Sequence, residues 1–110
     1  MGVRRSRGLR ERLKHKLVVR PEARAELAEA ADWYGSKSAA VARGFRAAIR
    51  ETMTRIAERP KSATQILPGV RRALTAHFPY AIFYAEENDT VVILSIKHQA
   101  QDPASWPARL

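Results

Sequence analysis

Seven side chains in the second half of the chain carry groups that could cleave a phosphodiester bond. They are cationic, acid–base or phenolic: Arg71, Arg72, His77, Tyr80, Tyr84, Lys97 and His98. Attack of an RNA 2′-hydroxyl requires a base, an acid for the departing 5′-oxygen, and cations for the charge of the phosphorane. These residue types therefore allow an endoribonuclease site. Its candidate catalytic residues are Arg72, Tyr84, Lys97 and His98.

The same residues also have interpretations without catalysis. Arg71 and Arg72 fall on a predicted outer strand, where they would solvate an exposed face or pair with carboxylates of a protein partner. Tyr80 and Tyr84 share one face of a predicted strand, a spacing typical of packing. Trp106 would either cover the core or contact a partner. The candidate partner-binding residues are Arg71, Arg72 and Trp106.

Other site chemistries have less support in the sequence. His77, His98 and Asp102 lack the helical spacing and the carboxylate cluster of a metal site. The chain has no Gly-x-Ser-x-Gly turn, no P-loop and no glycine-rich dinucleotide turn. It has no cysteine, which excludes disulfides and thiolate metal sites. We therefore expect neither a metal nor a cofactor.

The positive charge is concentrated near the N-terminus. The 110 residues carry a formal net charge of +9. Residues 1–20 hold eight Lys and Arg against Glu11, so they contribute +7 of it. We interpret residues 1–15 as a basic extension, flexible or upstream of the native start, and residues 16–110 as one domain. Apolar runs are far shorter than the about 20 residues of a membrane-spanning helix.

Two helices are predicted before the catalytic candidates. An apolar stripe at helical spacing predicts a helix over residues 21–34, ended by Gly35, and a second stripe predicts a helix over residues 39–58. Trp33 is expected to be buried between helix and sheet. The second helix is rich in arginine and the first in acids, so we expect the two to pair charges.

Strands are predicted over residues 16–20, 70–75, 80–85 and 90–97 from their β-branched and aromatic content. The resulting order is strand, helix, helix, strand, strand, strand. It predicts an α+β fold in which a helical hairpin packs on one face of a small antiparallel sheet. Arg72, the tyrosines and His98 would approach one another if the last three strands form a meander.

Several short motifs, in order, resemble the RelE/ParE family of bacterial toxins from type II toxin–antitoxin systems. The resemblance covers about residues 16–106. Its landmarks are Val19-Arg20-Pro21-Glu22-Ala23, Asp32-Trp33-Tyr34, Ile56-Ala57-Glu58-Arg59-Pro60, Gly69-Val70-Arg71-Arg72, Phe78-Pro79-Tyr80-Ala81-Ile82-Phe83-Tyr84, and Lys97-His98 followed by Asp102-Pro103 and Trp106.

The resemblance implies a cytoplasmic toxin that is held silent by a cognate antitoxin and meets operator DNA only through it. RelE-like members are ribosome-dependent messenger RNA endonucleases, whereas ParE-like members inhibit DNA gyrase. Between residues 61 and 69 the only base is Lys61, and Gln99, Ala100 and Gln101 stand where RelE-like members often carry arginines. We therefore favour the ParE-like branch, a non-enzymatic toxin. The alternatives are a RelE-type endonuclease and a decayed toxin that only binds its antitoxin.

Overall fold

A computed structural model describes residues 15–101, which form two helices and five strands. In chain order they are β1 (Lys16–Val19), α1 (Pro21–Lys37), α2 (Ala39–Glu58), β2 (Thr64–Leu67), β3 (Val70–Leu74), β4 (Tyr80–Glu87) and β5 (Thr90–His98), with a 3₁₀ turn at Pro60–Ser62. The strands form one sheet in the order β1-β5-β4-β3-β2. The predicted α+β class, with two consecutive helices packed on a small sheet, is confirmed.

A single serine separates the two helices. Gly35 was expected to end α1, but the helix continues to Lys37. Ser38 has an extended backbone, its N–H donates to Tyr34 O at 2.9 Å, and its Oγ accepts from Val41 N at 3.3 Å. The bond to Tyr34 keeps the turn through Gly35 helical, which is why the expected loop over residues 35–38 is absent. Ser38 therefore ends α1 and caps α2.

The sheet is mixed rather than wholly antiparallel. β3, β4 and β5 are joined by short connections and pair antiparallel, as expected. β1 pairs with β5 in parallel, with Lys16 opposite Thr90 and Val19 opposite Ile93. A tight turn forces antiparallel pairing, whereas a crossover through helices leaves the direction open. β1 is linked to β5 through the whole rest of the fold, so no local signal set its direction.

One edge strand, β2, was missing from the sequence prediction. It pairs antiparallel with β3 and places Thr64 opposite Arg72. Its sequence is Thr-Gln-Ile-Leu, and three of its four residues are exposed. Such a short, half-polar edge strand has neither the apolar run nor the alternation that identifies a strand. Arg71 supports the segment before it by donating to Ala63 O at 2.7 Å.

Apolar residues are buried on both faces of the sheet. The helix-facing side buries Ile82, Tyr84 and Ile93 against Phe45 and Ile49 of α2. The opposite side, called here the outer face, has its own smaller cluster, made of Val70, Ala81, Phe83 and Leu94. Burial on both faces explains the continuous apolar runs of β4 and β5. It also places some candidate site residues on the helix-facing side of the sheet and others on the outer face.

Candidate functional site

A cavity of about 170 Å³ on the outer face brings three of the four catalytic candidates together. Arg72 of β3 and Lys97 and His98 at the end of β5 all line it. Arg72 reaches it because β3 places it opposite Phe83, whose side chain belongs to the outer cluster. Gln99 and Gln101 complete its polar rim. The expected approach of Arg72 and His98 is confirmed.

Arg72 is the cavity residue whose charge is not engaged by the fold. It is exposed, and no carboxylate among residues 15–101 lies within 4.0 Å of its guanidinium. A free guanidinium presents a fork of donors suited to carboxylate or phosphate. Arg72 is thus available to an anionic ligand or to an acidic partner.

Lys97, by contrast, is held in an ion pair. Its Nζ donates to Glu26 Oε2 at 2.9 Å, and both side chains are largely buried. The other carboxylate oxygen, Oε1, accepts from Ser95 Oγ at 3.0 Å and from Ile96 N at 3.1 Å. β1 pairs with β5 only as far as Ile93. Beyond that point the Ile96 N–H, at the edge of β5, donates to Glu26 of α1 instead of to a strand. The Lys97 charge is therefore compensated within the fold.

Glu26 was expected, as one of the acids of α1, to pair with an arginine of α2, and it pairs instead with Lys97. Its position in the sequence already indicated a different environment. Ala23, Leu27, Ala30 and Tyr34 mark the buried stripe of α1, and Glu26 lies between them on the same face. A carboxylate on a buried face requires compensating donors. The donors themselves could not be named, because Ser95, Ile96 and Lys97 are about seventy residues away in the chain.

His98 is fixed in the turn that follows β5. Its N–H donates to Gln101 Oε1 at 2.9 Å, and its Nδ1 accepts from Ala100 N at 3.0 Å. Because Nδ1 accepts, the neutral ring carries its proton on Nε2. The ring also packs edge-on against Tyr80, with centroids 5.3 Å apart. His98 thus has a structural role, whatever ligand the cavity receives.

Tyr84, the fourth catalytic candidate, lies outside the cavity. Its side chain is fully buried, and its hydroxyl donates to Pro60 O at 2.6 Å. Burial is the main cause that raises the pKa of Tyr84, while the nearby Arg71 charge lowers it. Tyr84 and Arg72 together line a second pocket, of about 250 Å³. The bond to Pro60 gives Tyr84 a structural role, and its catalytic role stays a prediction.

The three partner-binding candidates differ in whether their side chains are bonded within the described fold. Arg71 donates from Nη1 to Ala63 O at 2.7 Å and to Lys61 O at 3.3 Å, so its guanidinium supports the chain entering β2. Arg72 is exposed, as described above. Trp106 lies outside the described residues. Of the two arginines, only Arg72 has a guanidinium free of bonds within residues 15–101.

Trp33 was expected to be buried, and it is instead 58% exposed. It lies beside the buried stripe of α1, with its ring edge-on to Tyr34 and the Lys37 ammonium 5.5 Å from its centre. A larger open groove of about 610 Å³ runs past it, lined by Tyr34, Tyr80 and Ile96 among others. An exposed tryptophan beside a groove is typical of interaction surfaces.

Within residues 15–101, no group of three or more His, Asp or Glu side chains is placed to hold a metal ion. In the same part of the chain, no helix is long and apolar enough to cross a membrane.

In a comparison with known families, residues 17–103 of the sequence match a family model. The family is described as "ParE toxin of type II toxin-antitoxin system, parDE". The chain belongs to the ParE toxin family. The matched residues include all seven helices and strands described above apart from the first residue of β1. No curated protein matches the chain in sequence.

The fold of this ParE-family chain is similar to that of a solved structure titled "Chromosomal ParDE TA system from P. aeruginosa". The TM-score is 0.68, and the sequences are 19% identical. The match covers 78% of this chain and 97% of the other. At this identity the likeness concerns the fold. Membership of the family makes the protein a toxin of the type II toxin–antitoxin class and implies an antitoxin partner.

Proposed function

We infer that this ParE-family toxin arrests growth in the cytoplasm by inhibiting DNA gyrase, without chemistry of its own, and that a cognate antitoxin neutralises it. The supporting observation is that three of the four catalytic candidates are already bonded or buried within the fold. Lys97 is ion-paired with Glu26, Tyr84 is enclosed in the core, and His98 is held by its turn. Among residues 15–101, this leaves the guanidinium of Arg72 and a single proton-transfer group, Nε2 of His98, whose Nδ1 already accepts from Ala100 N. A lone guanidinium supports binding better than acid–base cleavage, which needs two proton-transfer groups.

Neutralisation by an antitoxin is supported by the surface of the same cavity. Arg72 is exposed and unpaired among the described residues, so it offers a charged anchor for an acidic segment. Trp106 is proposed as a further contact, from the sequence alone. Arg71, which was a candidate beside it, already donates both of its bonds to backbone carbonyls of the toxin. We therefore propose Arg72 rather than Arg71 as the principal anchor.

A messenger RNA endonuclease is the second candidate, and one observation favours it. Arg72, Lys97 and His98 line the same 170 Å³ cavity, which is the gathering of cations and imidazole that RNA cleavage requires. For this function, RNA would have to displace Glu26 from Lys97. His98 would then transfer the proton through Nε2, because its Nδ1 already accepts from Ala100 N in the turn.

The deciding experiment compares the two activities in purified form. The chain is added at micromolar concentration to gyrase with relaxed plasmid, and separately to translating ribosomes with a defined message. The proposal expects loss of supercoiling with an intact message. It also expects that Arg72→Ala and His98→Gln, each checked for folding by circular dichroism, still inhibit gyrase.

Two outcomes contradict the proposal. Cleaved message that depends on Arg72 and His98, with unimpaired supercoiling, establishes the endonuclease. Binding to the antitoxin without either activity identifies a decayed toxin.

A further inference from the structure

Three arginines form a basic stripe along the solvent-facing side of α2. Arg43, Arg46 and Arg50 occupy positions i, i+3 and i+7, and all three are exposed. Residues at this spacing lie on one face of a helix. At about 1.5 Å of rise per residue, the three side chains emerge over about 10 Å of the helix axis. We call this set the α2 stripe.

The α2 stripe takes no part in the ion pairs between the residues that the structure describes. Within residues 15–101 the two ion pairs are Lys97–Glu26 and the longer His15–Glu86 contact. The expected pairing between the acids of α1 and the arginines of α2 is therefore wrong for the described structure. Arg55, on another side of α2, is different because it donates to Leu74 O at 3.1 Å.

The arrangement of the stripe also weakens the isolated helix. Each arginine has another arginine three or four residues away, and like charges at those spacings destabilise a helix. No acidic residue occupies position 39, 40, 42, 47, 49, 53 or 54, the other positions at those spacings. The stripe thus carries a small cost that nothing in the described fold offsets. A ligand of opposite charge would offset it.

The composition of the stripe favours a polyphosphate backbone over an acidic protein. Hot spots of protein interfaces are enriched in Trp and Tyr as well as Arg, and α2 contains neither Trp nor Tyr to stand beside the stripe. The exposed large hydrophobic residue of α2 is Val41, two residues before Arg43 and therefore about 200° around the helix from it. Guanidinium groups bind phosphates in bidentate fashion, and charge alone is sufficient for sequence-independent binding to DNA.

We propose that the α2 stripe binds the phosphate backbone of duplex DNA directly and without reading its sequence. This goes beyond gyrase inhibition, and it replaces the expectation that the toxin meets DNA only through its antitoxin. The inference does not require the gyrase proposal, because it rests on the exposed arginines of α2 alone.

The test is the salt dependence of binding to a 20-base-pair duplex of arbitrary sequence, measured by fluorescence anisotropy with the full chain. Each phosphate contact contributes about 0.9 to the slope of log K against log salt. The triple variant Arg43→Gln/Arg46→Gln/Arg50→Gln is expected to reduce that slope by about 2 to 3. Glutamine is a good helix former, so α2 is preserved, as circular dichroism will verify.

Two matched variants separate the stripe from net charge. Lys16→Gln/Arg24→Gln/Lys61→Gln removes the same charge from exposed positions elsewhere and should change the slope by less than about 1. Arg43→Lys/Arg46→Lys/Arg50→Lys keeps the charge and should keep the slope. The bases of residues 1–14 are identical in all variants, so their contribution cancels.

The proposal is overturned if the two glutamine variants reduce the slope equally, or if the stripe variant leaves it unchanged. A second probe, a poly-glutamate peptide, covers the protein alternative. Loss of peptide binding with retained DNA binding in the stripe variant would assign the stripe to an acidic partner instead. If the stripe variant loses binding to single-stranded RNA but keeps binding to duplex DNA, the assignment to duplex DNA is likewise overturned.

Discussion

Glu26 is the residue on which the end of β5 depends. One carboxylate accepts from the Ser95 hydroxyl, the Ile96 amide and the Lys97 ammonium. The amide is a sheet donor that would otherwise face no strand, because β1 stops opposite Ile93. A side chain of α1 therefore replaces a missing piece of strand. It also fixes the edge of the cavity in which Lys97 lies.

Replacing Glu26 by Ala is expected to lower the free energy of unfolding by about 2 kcal/mol, because a largely buried ammonium and an amide lose their acceptor. Urea denaturation measures the change. Glu29→Ala, an exposed acid on the same helix, should stay within about 0.5 kcal/mol of the parent. The double variant Glu26→Ala/Lys97→Ala should lose less than the two single variants added together. Equal midpoints for Glu26→Ala and Glu29→Ala would contradict this role.

The buried Tyr84 hydroxyl predicts a loss of stability in alkali. Burial raises the pKa of Tyr84 in the folded protein above its ordinary value of 10.0. Above about pH 10 the unfolded chain loses this proton before the folded one does, so stability present below that pH declines as the pH rises. Unfolding midpoints measured between pH 8 and 11 should fall more steeply for the parent than for Tyr84→Phe. A parallel decline in the two proteins would refute the assignment. The pKa of Tyr80 is raised as well, again mainly by burial, and Tyr80→Phe serves as the comparison.

At the scale of elements, the two helices depend on one residue for their junction. Ser38 ends α1 through its backbone N–H and caps α2 through its hydroxyl. Few junctions of two long helices leave so little chain between them, since helix–helix connections commonly use about two to eight residues. The relative placement of α1 and α2, and with it the position of the α2 stripe, is set there.

Ser38→Ala should lower the free energy of unfolding by about 1 kcal/mol, the usual cost of losing a helix N-cap. Ser36→Ala is the matched control, since that hydroxyl donates to Trp33 O at an exposed position. Its effect should remain within about 0.5 kcal/mol. Thermal unfolding of the three proteins provides the measurement. If the two alanine variants are indistinguishable, the capping bond contributes nothing measurable.

Long elements with regular periodicity were predictable, and features that depend on distant residues were not. The apolar residues Phe45, Ile49 and Ile56 predicted α2, because their helical spacing is a local signal. β2 was missed because its stability comes from pairing with β3 rather than from its own residues. Trp33 was misplaced because size suggested burial, whereas its position beside the buried stripe decided its exposure.

In the candidate site, too, what depends on local signals was predictable and what depends on distant residues was not. The meeting of Arg72 and His98 was predictable from an antiparallel meander, which fixes opposite residues once the turns are known. The exclusion of Tyr84 from that cavity required knowing which face of β4 meets the helices. The pairing of Lys97 with Glu26 joins the first helix to the last strand, and no local pattern records it.

At the scale of the whole molecule, positive charge is distributed over separate places rather than one surface. Residues 1–20 contain eight of the twenty Lys and Arg of the chain. Within residues 15–101, the α2 stripe and Arg72 are further exposed basic sites on different elements. Separate sites would allow the proposed contacts with target, antitoxin and DNA to use different residues.

Induction of the chain without its antitoxin should stop DNA synthesis before RNA or protein synthesis. Inhibited gyrase leaves positive supercoils ahead of the replication fork, whereas messages stay whole. Pulse labelling of the three processes over the first minutes measures the order, and Arg72→Ala should preserve it. Early loss of translation with cut messages would contradict the gyrase target.

The pairing of β1 with β5 has a consequence for how the protein is made. On the ribosome the helical hairpin emerges early, but β1 has no neighbour in the sheet until residues 90–93 have left the exit tunnel. Contacts between residues so distant in sequence form late in folding. A nascent chain that stops before Thr90 therefore lacks the strand beside which β1 belongs, and it also lacks Ser95, Ile96 and Lys97, which donate to Glu26. Activity that depends on the complete sheet should thus appear only once translation of the final strand is complete.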